Sequence, residues 1–142
     1  CQVVLYDETK KWDIRAMIDT GNMLQDPAGQ KPVHIISKKM AEKIYGTEMV
    51  EELLEYSLSN ENEEKWMQKK LHYIPCQTIQ GTHLLPVVTM EKMEIIQKSR
   101  IEIQMPQIGI GIMEETDYQM IVNAQSIGGT KYGCRDNKYT TV

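Results

Sequence analysis

Apolar and polar residues alternate at the start of the chain. Trp12, Ile14, Ala16 and Ile18 interleave with Asp13, Arg15 and Met17, the period of a half-buried strand. That strand runs directly into Asp19-Thr20-Gly21. Gln2–Tyr6 reads as a strand before it, and the polar Asp7–Lys11 as the turn between them, so the chain opens on a β-hairpin. Asp26-Pro27-Ala28-Gly29 is a turn and Pro32–Ile36 a short strand. The period then changes to a helical one. Ser37 caps a helix that ends at Tyr45-Gly46, with Met40, Ala41 and Ile44 on its buried face. Thr47 caps a second, in which Val50, Leu53, Leu54 and Leu58 share a face and Glu48, Glu51 and Glu52 sit near the N-terminus, where negative charge is favoured. Ser57–Glu64 is mostly polar and reads as a solvated loop that tolerates insertion or nicking. Leu71–Ile79 and Leu84–Met90 are two strands joined at Gln80-Gly81-Thr82; Lys92–Ile96 and Ile101–Met105 continue the β pattern, and the glycine-containing Pro106–Ile112 follows. Tyr118–Ala124 is the last ordered segment, and a loose tail begins at Gly128. The expected organisation is one domain over 1–127 with a flexible tail over 128–142.

The 142 residues suffice for one domain with a real core. A net charge of −4, with no basic stripe, argues against nucleic acid as a partner. Phe is absent and Met numbers 10, which points to Met filling irregular gaps in the core. Cys1, Cys76 and Cys134 cannot all pair with one another and lack zinc-type spacing. They read as reduced thiols in a cytosolic setting. His34, His72 and His83 form no metal-ligand pattern, and no metal or cofactor is expected. The chain has no run of 18 apolar residues and no signal peptide. It opens on Cys1 and goes straight into a strand, as a domain cut from a longer protein would.

Asp-Thr-Gly at the end of an apolar strand is how aspartic peptidases present their catalytic carboxylate. The Asp supplies the acid, the Thr hydroxyl can lock the loop through backbone, and a residue without Cβ lets N–H groups approach the carboxylate. The same tripeptide also serves as a surface turn; the strand leading into it favours catalysis. Cys76 with His72 or His83 as base is a second nucleophile–base set, weighed against a buried structural cysteine. The glycines of Pro106–Ile112 lack the spacing and the following helix of a nucleotide loop.

The order of these parts resembles half of an aspartic peptidase, the retropepsin-type monomer. Its details are similar to one family, the sporulation sigma-E factor processing peptidases. The run Ile18-Asp19-Thr20-Gly21-Asn22-Met23-Leu24-Gln25-Asp26-Pro27 carries the resemblance. Pro32-Val33-His34-Ile35, Ile74–Gly81, Leu84-Leu85-Pro86, Ile108–Ile112 and Tyr118-Gln119 extend it to about Val3–Ile127. The resemblance implies a mainly-β, retropepsin-like acid-protease half-barrel with inserted α-helices. It implies a homodimer that removes a pro-segment from an inactive sigma factor during sporulation, on the cytoplasmic, mother-cell face of the septum. The membrane enters only through an N-terminal part of the parent protein. By resemblance Asp19 is catalytic, with Thr20, Gly21 and Asn22 supporting the loop. Ile79, Gln80, Gly81 and Thr82 match the flap. Ile110-Gly111, or in another register Ile108-Gly109, matches the strand step behind the catalytic loop. Asn22 departs from the small residue usual in retropepsins, and Ser37–Leu58 is an insertion, either a docking surface or plain packing.

A dyad needs two carboxylates, and none of Asp7, Asp13, Asp26, Asp117 and Asp136 is followed by Thr-Gly or Ser-Gly. The second is therefore expected from an identical subunit. The alternative to catalysis is a dimerisation or sigma-factor-docking module that kept the fold.

Overall fold

The computed structural model describes residues 1–21, 24–79, 81–111, 113 and 117–127, with the backbone alone at Thr78. The opening alternation folds as expected. β1 (Gln2–Asp7) and β2 (Lys10–Asp19) are antiparallel, and Asp7 pairs with Lys10, so the turn is only Glu8-Thr9. Along β2, Ile14 and Ala16 are buried, while Asp13, Arg15 and Met17 face solvent.

The other strands are β3 (Val33–Ser37), β4 (His72–Thr78), β5 (Gly81–Thr89), β6 (Lys92–Ile96), β7 (Arg100–Gln104), β8 (Gln107–Gly111) and β9 (Met120–Asn123). All nine join in one sheet, in the order β4-β5-β8-β3-β9-β2-β1-β6-β7. The sheet is open and mixed. β9 runs parallel to β2 and antiparallel to β3, and β8 runs parallel to β3. Three helices are inserted between β3 and β4: α1 (Lys38–Tyr45), α2 (Thr47–Leu54) and α3 (Asn60–Gln68). A 3-10 turn, Ala124–Ile127, follows β9. The chain is thus mainly β with inserted helices, built on an open sheet.

The main core joins β1 and β2 (Val3, Leu5, Ile14, Ala16) to the helices (Met40, Ala41, Val50, Leu53, Trp66) and to Met90, Met93 and Ile95. Four methionines, Met40, Met90, Met93 and Met120, are buried in it, the gap-filling use that an adaptable side chain suits. A smaller cluster of Val33, Ile74, Leu85 and Val87 takes in Leu24 and Cys76.

Three elements differ from expectation. The polar stretch Ser57–Glu64 is not a loop: α3 begins inside it. Ser59 Oγ accepts the Asn62 N–H, and Glu61 and Glu63 lie in the first turn, where the helix dipole favours them. The Glu52 carboxylate receives the Ser59 N–H at 2.7 Å and Asn62 Nδ2 at 2.8 Å, and Trp66 is buried beneath. One large side chain fixes the helix, and Trp66 with the exposed Met67 beside it makes no visible period. Thr47 is the first helical residue of α2, and Gly46 is its cap. Gly81 and Thr82 belong to β5 and not to the β4–β5 turn, since Thr78 pairs with Gly81 and Gln77 with Thr82. The tail from Gly128, with Cys134, lies outside the described residues.

Candidate active site

Asp19 ends β2 half-buried, in register with Asn123 of the parallel strand β9. Its Oδ1 accepts the Gly21 N–H at 2.8 Å. A Cβ on Gly21 would stand 3.3 Å from that oxygen, a tight contact that a larger residue would relieve by shifting the carboxylate a few tenths of an ångström. Thr20 and Gly21 are exposed. Among the described residues Asp19 enters no ion pair. Asn22 lies outside the described residues.

The segment after the turn is held from β9. Asn123 Nδ2 donates to the Leu24 carbonyl at 2.9 Å, and Gln25 Nε2 donates to Gln125 Oε1 at 2.9 Å. Asn123 Oδ1 receives the Gln125 N–H at 3.0 Å, which shapes the start of the 3-10 turn. Asp26 then folds a turn of its own, with Oδ1 receiving the Ala28 N–H. Its Oδ2 lies 3.1 Å from His72 Nε2, while His72 Nδ1 donates to the Lys70 carbonyl at 2.9 Å. The catalytic-type turn is thereby joined to the base of β4.

Beneath this lies His34, 1% exposed. Its Nδ1 receives the Asn123 N–H at 2.9 Å, and its Nε2 faces Ser126 Oγ at 3.0 Å. Burial disfavours the charged ring and pushes its pKa down to about 4.

The strand beside Asp19 is β9, not β8. Ile110 and Gly111 lie in β8, which β3 and β9 separate from β2; Ile108-Gly109 shares that strand. The glycines there meet a different need. A Cβ on Gly109 would come within 2.7 Å of Leu85 Cδ2, and one on Gly111 within 2.9 Å of Ile35 Cγ2. They let neighbouring side chains cross β8. The step beside the carboxylate is Ile121-Val122-Asn123. The visible signal for it was an apolar-apolar-polar step just before a short helix. His34, Asn123 and Ser126 carried no sequence mark of a site.

At the expected flap, Ile79 is fully exposed and Gly81 has φ 117°, a conformation that costs Gly little. Thr82 Oγ1 donates to Gln77 Oε1 at 2.9 Å across the strands. Gln80 lies outside the described residues. In the sheet, β8, β3 and β9 stand between this hairpin and β2.

Cys76 and His83 are cross-strand partners, but Cys76 packs into the smaller core cluster and His83 faces solvent. Two clefts of about 490 and 500 Å³ lie near the Glu8-Thr9 end of β2, and Asp19 lines neither. No helix among the described residues is long and apolar enough to cross a membrane.

No curated protein and no solved structure matches the chain. A family of peptidases does: Peptidase_U4, described as sporulation factor SpoIIGA, matches residues 1–126, and the chain belongs to that family.

Proposed function

We propose that the protein is an aspartic endopeptidase that processes an inactive pro-sigma factor during sporulation. Two copies each contribute Asp19 across a two-fold axis. The reading is supported above all by Asp19 itself. It stands at the end of a core strand, with its Oδ1 engaged by the backbone of its own Asp-Thr-Gly turn. Membership of a sporulation peptidase family supports the reaction class.

In the dyad, two like charges brought close share one proton. The ionised carboxylate takes a proton from water as that water attacks the scissile carbonyl. The protonated partner donates to the carbonyl oxygen, and the resulting diol collapses as one carboxyl gives a proton to the leaving nitrogen and the other takes one from a hydroxyl, which breaks the C–N bond. No step needs a covalent intermediate with the enzyme. Thr20, Gly21 and Asn22 hold the loop, and Ile79–Thr82 close over the substrate, a role that suits the exposed Ile79 side chain. A membrane-embedded part of the parent protein would hold the domain at the cytoplasmic face of the septum.

The test is a cleavage assay on a purified pro-sigma factor. Asp19→Asn is nearly isosteric and is expected to fold, to assemble and to lose cleavage. A folded Asp19→Asn protein that still cleaves overturns the assignment. Wild-type protein that binds the pro-sigma factor without cutting it identifies a docking module instead.

A further inference from the structure

His34 is a buried titratable ring that the hydrolytic steps do not use. It lies on β3, one strand away from β9. The backbone register between β3 and β9 ends at Ile35–Ile121. Two residues further on, the Asn123 N–H is received by the His34 side chain. An N–H can only donate, so Nδ1 must offer its lone pair, and the ring hydrogen sits on Nε2, directed at Ser126 Oγ. One protonation state fits. The imidazolium and the Nδ1–H tautomer would both set a hydrogen against the Asn123 N–H, between two buried residues.

Asn123 passes the constraint on. Its backbone lies in register with Asp19, and its side chain grips the Leu24 carbonyl on the far side of the Asp-Thr-Gly turn. We propose that His34 is the positioning residue of the catalytic turn: a neutral imidazole whose acceptor nitrogen fixes Asn123, and through it both flanks of Asp19. This rests on the catalytic reading of Asp19. The position requires an acceptor at Nδ1, beyond a side chain of the right volume. Burial of the ring agrees with that, because it keeps the ring neutral.

The experiment compares two variants in the assembled protein. His34→Asn places an acceptor oxygen near the position of Nδ1. His34→Leu fills the space without one. His34→Leu is expected to lower kcat on the order of tenfold or more, as misplacement of a reacting group does. KM should stay within about threefold. His34→Asn should recover most of the lost kcat. Equal losses in both variants, or no loss in His34→Leu, overturn the proposal.

A readout independent of activity accompanies these. Nitrogen-15 spectra of the wild-type ring should show Nδ1 bare and Nε2 protonated at neutral pH. The Gly21 amide resonance should move in His34→Leu and return toward its native position in His34→Asn. A protonated Nδ1 in the wild type overturns the proposal whether or not the protein cleaves. If only the catalytic reading is wrong, Asp19→Asn retains activity while these spectra behave as stated. Should His34→Leu fail to fold, Asn123→Ala keeps the backbone N–H on His34 and removes the side-chain grip on the Leu24 carbonyl. It is expected to lower kcat and move the Gly21 amide resonance with the ring tautomer unchanged, and an unmoved Gly21 resonance with unchanged kcat counts against the proposal.

Discussion

At the scale of single residues, the carboxylate and the ring joined to it through Asn123 were not equally visible. Asp19 was legible because its tripeptide sits at the end of an alternating strand, where both the motif and the period agree. His34 was not. A lone His in the strand Val33–Ser37 has no signature, and its importance comes from Asn123, which lies 89 positions later. Its burial makes a stability prediction. The ring's pKa is about 4 in the fold against 6.5 for an ordinary histidine. Between those values the unfolded chain binds a proton that the folded one refuses, so stability falls as pH drops from about 6.5 toward 4. The loss is on the order of 3 kcal/mol at its largest. Denaturant melts at pH 7 and pH 4.5 should show a steeper loss in wild type than in His34→Leu. Parallel losses would assign the acid sensitivity to other groups.

Elements defined by local pattern read well, and those defined by one anchor did not. The opening hairpin, β3 and α1 follow from alternation and a cap, which neighbouring residues supply. α3 follows from Trp66, whose value appears only when the sheet and the other helices close over it. Trp66→Ala should therefore cost about 3–5 kcal/mol in a denaturant melt, as removal of a large buried aromatic does. A loss under 1 kcal/mol would return Ser57–Glu64 to the solvated loop its composition suggests. The β4–β5 hairpin tests differently. Gly81 has φ 117°, with nothing within 4 Å of where a Cβ would stand. Valine there meets strain without collision, on the order of 1–2 kcal/mol. Gly81→Val is expected to lower turnover well beyond its effect on melting temperature, if the tip closes over substrate. Equal proportional losses would make it a structural turn only.

For the molecule as a whole, the sheet's composition was legible and its strand order was not. Period-two runs announce strands, but nothing local announces that β9 slots between β2 and β3. The same gap separates Ile110-Gly111 from the strand beside Asp19: two apolar-rich segments of similar appearance compete, and only pairing across the chain decides which one lies next to β2. Assembly gives a further prediction. On the dyad reading, one Asp-Thr-Gly per chain makes each copy a half-site. Specific activity should rise with protein concentration, and excess Asp19→Ala subunits should suppress the wild type. Constant specific activity in a species shown to be monomeric would end the dyad reading. The parallel pairing of Ala16–Asp19 with Met120–Asn123 also has a bearing on synthesis. A ribosome releases β2 about a hundred residues before its partner. Through that interval the facing edges of β2 and β3 lack the strand that joins them, with backbone groups open to other chains. The carboxylate waits without its neighbour. A chain interrupted before Met120 is thus both sticky and inert, and arrival of the last strand closes the edges and braces Asp19 in a single event.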